Sequence, residues 1–322
     1  MCRPVARSRA ACLVTGGAGF LGSHLVRALV RRGHAVTVLD NFSSGSLENL
    51  REVKKAVRVV RGDVREPKDV RRALRGAEWV FHLAALVSVP GSIKRPGETY
   101  ATNAEGTRLL LEESLRAEVL RVVYASSCAV YGDGLPRAIP EDTPPRPQTP
   151  YALSKWMAEC YARAYWAMYG LEVVVLRFFN VYGPGQSASS PYSAVVARFS
   201  DALVRGRRPF IYGDGRQTRD FVYVGDTVDA FRRAAGRRRA EGRIINIGSG
   251  RAVSIRTLFE TLARFADGAV RPRCAKARRG DIRRSRASVK AARSVLGFRS
   301  RVTLREGLRK TYAWFAEAAA KT

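Results

Sequence analysis

The 322-residue chain is poor in metal ligands and in acid. It has three histidines (His24, His34, His82) and five cysteines (Cys2, Cys12, Cys128, Cys160, Cys274), with no pair at metal-ligand spacing, so no metal site is expected. An odd set of scattered cysteines also argues against a disulfide framework and for a reducing compartment, the cytoplasm. No apolar run approaches the roughly 18 residues of a spanning helix. Acidic residues number 28 against 57 basic ones, a formal net charge of +29. Such an excess suits nucleic acid or an anionic membrane. Arginine, however, is spread along the whole chain, and no basic-and-aromatic nucleic-acid module is present. An arginine-rich surface is therefore expected, with neither nucleic acid nor membrane as partner. The basic residues 1–9 precede an apolar stretch, as in a signal peptide, but that stretch reads as the first strand of a nucleotide fold. A flexible extension without export is expected for 1–9.

Glycine is present where it has consequences. Ala11 to Val14 predicts a buried strand, and Phe20 to Arg32 carries Leu21, Leu25, Ala28 and Leu29 at helical spacing. Between them stand Gly16, Gly19 and Gly22. The first permits a tight turn, the second lets backbone approach a pyrophosphate, and the third lets helix pack on strand. The first turn of the helix, with Phe20 and Leu21, offers N–H groups and a positive dipole end to that anion. A second strand, Ala35 to Leu39, ends in Asp40, 18 residues past Gly22. An acid there can bond the ribose hydroxyls of NAD and repel the 2′-phosphate of NADP. The stretch reads as an NAD site.

The chain then supplies the rest of a crevice. Asn41, Phe42, Ser43, Ser44 and Gly45 form a polar turn at the adenosine end. A third strand, Val57 to Arg61, leads to Asp63 and Val64; Asp63 either contacts the adenine amino group or caps the next helix. A fourth, Trp79 to Leu83, ends in Ala84 and Ala85, small enough for a ring or phosphate to approach. A loop with Ser88 precedes a long helix from about Gly97 to Ala117, inside which Asn103 is expected to tie neighbouring strands. The fifth strand, Arg121 to Ala125, runs into Ser126, Ser127 and Cys128. A proline-rich loop then leads to Tyr151 and Lys155, one turn apart on one helical face. The lysine charge is expected to lower the phenol pKa toward neutrality, making Tyr151 a general base. A sixth strand, Glu172 to Arg177, reaches Phe178, Phe179 and Asn180, after which the alternation becomes irregular. The expected fold is α/β. An NAD-binding Rossmann unit with a doubly wound parallel sheet spans 10–179 plus about 219–249. A smaller C-terminal α/β substrate-binding domain spans about 180–218 plus 250–322.

Together TGGAGFLG (15–22), HLAA (82–85), SSCAVYG (126–132), YALSK (151–155), RFFNVYGP (177–184), GDGRQTRDFVYV (213–224) and GDIRRS (280–285) resemble the extended short-chain dehydrogenase/reductases of nucleotide-sugar epimerase type, over about 11–320. The resemblance implies a UDP-hexose 4-epimerase that oxidises C4 of the sugar to a ketone and returns the hydride to the other face. It implies Tyr151 as base, Ser127 bonded to the same oxygen, and Lys155 on the nicotinamide ribose. NAD would also touch Val64, Leu83, Ala84, Ala85, Asn103 and Phe179. The UDP-sugar would be held by Ser88, Asn180, Tyr212, Arg219, Arg278 and Ser285, the arginines suiting a pyrophosphate. Similar dehydratases carry Asp-Glu after the catalytic hydroxyl, where Cys128 and Ala129 stand; similar C3/C5 epimerases pair Cys with His, and no histidine follows His82. The small Ser285, the Ser88–Ser92 loop and the Ser189–Ser193 segment imply room for UDP-GlcNAc and UDP-GalNAc besides UDP-Glc and UDP-Gal. Gly91 in place of a common Arg, and Ser288 in place of a common Asp, depart from the pattern. A homodimer is implied by analogy, through helices around 98–117 and 151–169, with Trp156, Tyr161 and Trp166 near the contact. The alternatives are a uronate epimerase or dehydratase, or a non-enzymatic NAD- or RNA-binding relative.

Overall fold

The computed structural model describes residues 9–133, 138–188, 194–266, 270–277 and 282–320. Its strands are β1 (Ala11–Thr15), β2 (Ala35–Asp40), β3 (Val57–Arg61), β4 (Trp79–His82), β5 (Arg121–Ser127), β6 (Val173–Phe178), β7 (Asn180–Tyr182), β8 (Phe210–Tyr212), β9 (Thr218–Tyr223), β10 (Ile244–Ile247), β11 (Ala252–Ser254) and β12 (Arg273–Ala275). Seven of them make one parallel sheet in the order β10-β6-β5-β4-β1-β2-β3. The order reverses between β1 and β4, so a crevice opens at their carboxyl ends, where such sheets bind ligands.

Helices cover both faces: α1 (Phe20–Val30), α2 (Pro67–Leu74), α3 (Val89–Lys94), α4 (Pro96–Tyr100), α5 (Gly106–Arg116), α6 (Pro150–Tyr169), α7 (Val195–Val204), α8 (Val224–Gly236), α9 (Ile255–Ala263), α10 (Lys290–Leu296) and α11 (Leu304–Ala319). Strand side chains alternate between the faces. Val14, Phe81 and Val123 pack with Leu25, Phe231 and Leu296 of α1, α8 and α10. Leu13, Val80 and Val122 pack with Val70, Leu110 and Ala158 of α2, α5 and α6. Because both faces are covered, β6 (VVVLRF) is buried at every position, which explains its unbroken apolar run.

Three local expectations need correction. The helix foreseen over 97–117 is two α-helices joined by a π turn, Ala101–Glu105, which carries the buried Asn103. The Ser88–Ser92 loop is the start of α3, because Ser88 caps it by accepting the Gly91 N–H at 2.9 Å. β9 joins β7 and β11 in a separate three-stranded sheet, so the chain returns to the large sheet with α8 and β10, later than position 219. A further core, including Tyr182, Phe199, Phe221, Phe259 and Leu308, sits beneath α7, α9 and α11.

Candidate active site

The glycine turn closes the floor of the crevice. Gly16 has φ +67°, and a Cβ on it would stand 2.8 Å from the Ala84 nitrogen; a Cβ on Gly22 would collide with the Gly16 carbonyl oxygen. Helix α1 starts at Gly19 with no side chain capping it, so its first-turn N–H groups remain for an anion. These features fit a dinucleotide pyrophosphate. Asp40 is buried, and its carboxylate accepts from Ala18 N–H and Phe42 N–H, both at 2.8 Å. It therefore holds the glycine loop and the 41–45 turn together, with lone pairs left over for a ribose. Asp63 accepts from the Asn41 amide at 2.9 Å and, bidentately, from Arg65. Those bonds, led by Arg65, hold its carboxyl at about 2. Asp63 does not cap α2, whose N-cap is Glu66.

A buried polar chain joins the two sides of the switch point. Leu83 N–H and Ala84 N–H donate to Thr15 Oγ1 at 3.2 Å, and Thr15 lies 2.7 Å from His82 Nδ1. His82 Nε2 lies 2.9 Å from Thr107 Oγ1, which donates to the Asn103 carbonyl at 2.6 Å. Since the Thr107 proton is committed there, Nε2 carries the imidazole hydrogen and Nδ1 accepts. Burial, helped by the Lys155 charge, lowers the His82 pKa to about 3, so the ring is neutral. The Asn103 side chain bonds Leu86 N–H (2.7 Å), Leu86 O and Ser154 Oγ (both 3.0 Å). It ties the loop after β4 to α6, a bracing role rather than the strand link foreseen.

Ser127, Tyr151 and Lys155 meet above this chain. Thr149 caps α6 and fixes where the helix begins. Tyr151 is 9 % exposed; burial pushes its phenol up to about 12, and a hydrogen bond with Ser127 works against the rise. The lysine-driven drop toward neutrality is absent from this geometry. Lys155 Nζ instead donates to the Ala125 carbonyl at 2.9 Å and lies 5.0 Å from the Tyr124 ring centroid. Burial brings the ammonium itself down to about 7, with Glu159 acting the other way. One turn further along α6, Glu159 forms a buried ion pair with Arg177 (2.6 Å) and accepts the Ser126 hydroxyl. Sequence reading missed this pair; charged residues at fully buried strand and helix positions were the available signal.

Segments after β6 bring further residues to the same place. The Cys128 thiol is pushed up to about 11 by burial, opposed by the nearby Ser285 hydroxyl, which makes no hydrogen bond of normal geometry among the described residues, and by the Arg219 charge. Ser127, Cys128, Tyr151, Arg219 and Ser285 therefore share one neighbourhood. Asn180 donates to the Asp220 carbonyl at 3.3 Å, and Tyr212 lies under the Arg198 guanidinium, 5.8 Å away. Asp220, also missed, accepts from Ser249 N–H (2.7 Å) and hydroxyl (2.6 Å), Gly250 N–H (2.9 Å) and Ala287 N–H (3.0 Å). It anchors the strand carrying Arg219 and the segment carrying Ser285. Phe179 is buried at the end of β6, packed with Val130 and Ile139. Arg278 and the Ser189–Ser193 segment lie outside the described residues. No cluster of metal-ligating side chains occurs among the described residues.

Residues 12–248 match the family model described as the NAD dependent epimerase/dehydratase family. The chain is 41% identical to a UDP-glucose 4-epimerase of Mycolicibacterium smegmatis over 94% of this chain and 97% of that one. It is 33% identical to a UDP-N-acetyl-alpha-D-glucosaminuronate decarboxylase of Bacillus cytotoxicus, over 95% and 98%. The solved UDP-glucose 4-epimerase of Thermus thermophilus in complex with NAD superposes with a TM-score of 0.87 at 38% identity, covering 96% of this chain and 99% of that one. The chain belongs to the NAD dependent epimerase/dehydratase family, the extended short-chain dehydrogenase/reductases that act on nucleotide sugars.

Proposed function

We propose that the protein is a UDP-hexose 4-epimerase acting on UDP-glucose and UDP-galactose and on their N-acetylated counterparts. The observation that carries this reading is the convergence of the Tyr151 phenol, the Ser127 hydroxyl and the Lys155 ammonium at the carboxyl end of β5, beside the glycine cradle. NAD, when bound, supplies the hydride acceptor and donor. Tyr151, in its phenolate form, takes the proton of the sugar 4-hydroxyl and later returns it, while the Ser127 hydroxyl bonds the same oxygen and opposes the rise that burial imposes on the phenol. Lys155 keeps two N–H donors beyond its bond to Ala125, enough to hold a ribose diol. Arg219 and Arg278 are assigned to the pyrophosphate, Asn180, Tyr212 and Ser88 to the rest of the UDP-sugar.

Chemistry at C5 or C6 needs another base. The positions after Ser127 are Cys128, whose thiol is held near 11, and Ala129. His82 is buried, neutral and committed to Thr15 and Thr107, so no Cys–His pair forms. The test is incubation with each UDP-sugar without added NAD and separation of the products. Formation of the C4 epimer supports the reading. A 4-keto-6-deoxy sugar, or loss of carbon dioxide from a UDP-uronate, overturns it.

The same reading includes a homodimer through the helices around 98–117 (α4 and α5) and 151–169 (α6) and a cytoplasmic setting. Tyr100, Leu153 and Met168 are exposed along these helices. Trp156, partly buried, packs against the Val130–Phe179 cluster, and Trp166, also partly buried, lies against Gly242. Tyr161 leans on the core beneath α6. No helix among the described residues is long and apolar enough to cross a membrane.

A further inference from the structure

Tyr124 lies on β5 three residues before Ser127, and its side chain is fully buried. Its hydroxyl, next to that of Thr107, makes no hydrogen bond of normal geometry among the described residues. A buried phenol without a partner is costly, and a valine like its neighbours Val122 and Val123 would avoid that cost. The ring, however, has two specific contacts. Lys155 Nζ stands 5.0 Å from its centroid, and the His82 imidazole stacks on it at 5.6 Å with planes 28° apart. Lys155 has one hydrogen bond, to Ala125 O, so the aromatic face is its other main source of stabilisation. His82, held neutral by burial and bonded to Thr15 and Thr107, adds no competing charge.

We propose that Tyr124 is a positioning residue for NAD binding, its aromatic face holding the Lys155 side chain charged and in place in the cofactor cleft. This rests on the reading of Lys155 as the ribose-holding group. The charged and titratable groups around Lys155 are Tyr151 and Glu159 on α6, His82 on β4, Tyr124 on β5, and Arg177 on β6 behind Glu159. Glu159, the Ala125 carbonyl and the ring favour the ammonium, and of these the ring is the one that a side-chain replacement on β5 can weaken. Weakening the ring must therefore lower the pH at which Lys155 loses its proton.

The test is the affinity of the full-length protein for NAD as a function of pH, with Tyr124 replaced by Phe and by phenylalanines bearing one, two and three ring fluorines. These side chains keep the shape and progressively remove the negative face. The Phe variant should match the parent. The affinity midpoint should fall stepwise with fluorination, by about one pH unit at three fluorines, equivalent to about tenfold weaker binding between the two midpoints. Tyr124→Met, similar in size but without a ring, should fall further. A midpoint that stays put across the series overturns the proposal, as does an affinity loss equal at every pH or a Phe variant that itself shifts. Because the readout is cofactor binding, failure to epimerise any UDP-sugar would sink the proposed activity and leave this inference standing.

Discussion

The Ala18 N–H donates to Asp40 Oδ2 at 2.8 Å, joining the glycine turn to the end of β2. The acid that ribose recognition calls for is thus also the clamp that shapes the pyrophosphate cradle. Asp40→Asn keeps the size but sets an NH₂ group against one of two backbone N–H donors. A buried donor left unpaired costs about 1–3 kcal/mol. NAD affinity should fall by about tenfold or more, and the melting temperature should drop even without NAD. A variant that loses affinity with unchanged melting would show that Asp40 acts on the ligand alone.

Tyr151→Phe removes the proposed proton acceptor and leaves the buried ring in place. Turnover should fall by about 10²–10⁴, the usual worth of a positioned acid–base group, with NAD binding retained. The check is epimerisation rate beside cofactor content. Normal turnover by the Phe variant would remove Tyr151 from the mechanism.

His82 gives a pH signature with a definite sign. Its folded pKa, about 3, lies below the ordinary value of 6.5, so the unfolded chain binds the proton first as pH falls. Its contribution to stability is complete above 6.5 and is lost between 6.5 and about 3. Denaturant unfolding should show stability declining across that window, less steeply in His82→Gln. Imidazole NMR should find a neutral ring protonated on Nε2 at about pH 6, below the ordinary histidine value; a cationic ring would refute the assignment.

Much of this architecture was legible because short apolar strand runs and three glycines are local signals. β1, α1 and β2 follow from residues close to one another in the chain, and so does the Tyr151–Lys155 pairing. What could not be read depended on distant partners. The π turn that turns Asn103 inward answers to Leu86 and Ser154, and the Lys155 ammonium answers to Ala125 and Tyr124. Asp220 looks like an ordinary strand-edge acid until Ser249, Gly250 and Ala287 close on it. The contacts of Trp156 and Trp166 were out of reach for the same reason: they are made with the Val130 cluster and Gly242, far away in sequence.

The Glu159–Arg177 pair beneath the site is almost wholly buried, at 2 % and 3 % side-chain exposure. Glu159→Gln leaves the guanidinium without its counter-charge and takes from Lys155 the one carboxylate that favours its charged form. Breaking such a pair from one side costs about 3–5 kcal/mol. The variant should melt well below the parent in thermal unfolding, and the pH above which it loses NAD affinity should shift downward. A double variant, Glu159→Gln with Arg177→Met, should recover much of the stability, because the orphan charge is gone. It should not recover the pH midpoint, since Lys155 still lacks its carboxylate.

On the proposed function, Ser285 is the residue expected to decide how the sugar's 2-substituent is treated. Its side chain is small, buried and set against Cys128, beside the Arg219 strand. Ser285→Tyr adds a ring where a 2-acetamido group would need room, while a 2-hydroxyl needs far less. Overfilling a packed site costs about 1–3 kcal/mol, so kcat/KM for the N-acetylated pair should fall by roughly tenfold to a hundredfold. UDP-glucose and UDP-galactose should keep most of their turnover. Product separation with all four UDP-sugars reads the ratio directly. An equal loss for both pairs would mean that Ser285 shapes the fold around Asp220 rather than the substrate, and the acetamido assignment would be withdrawn.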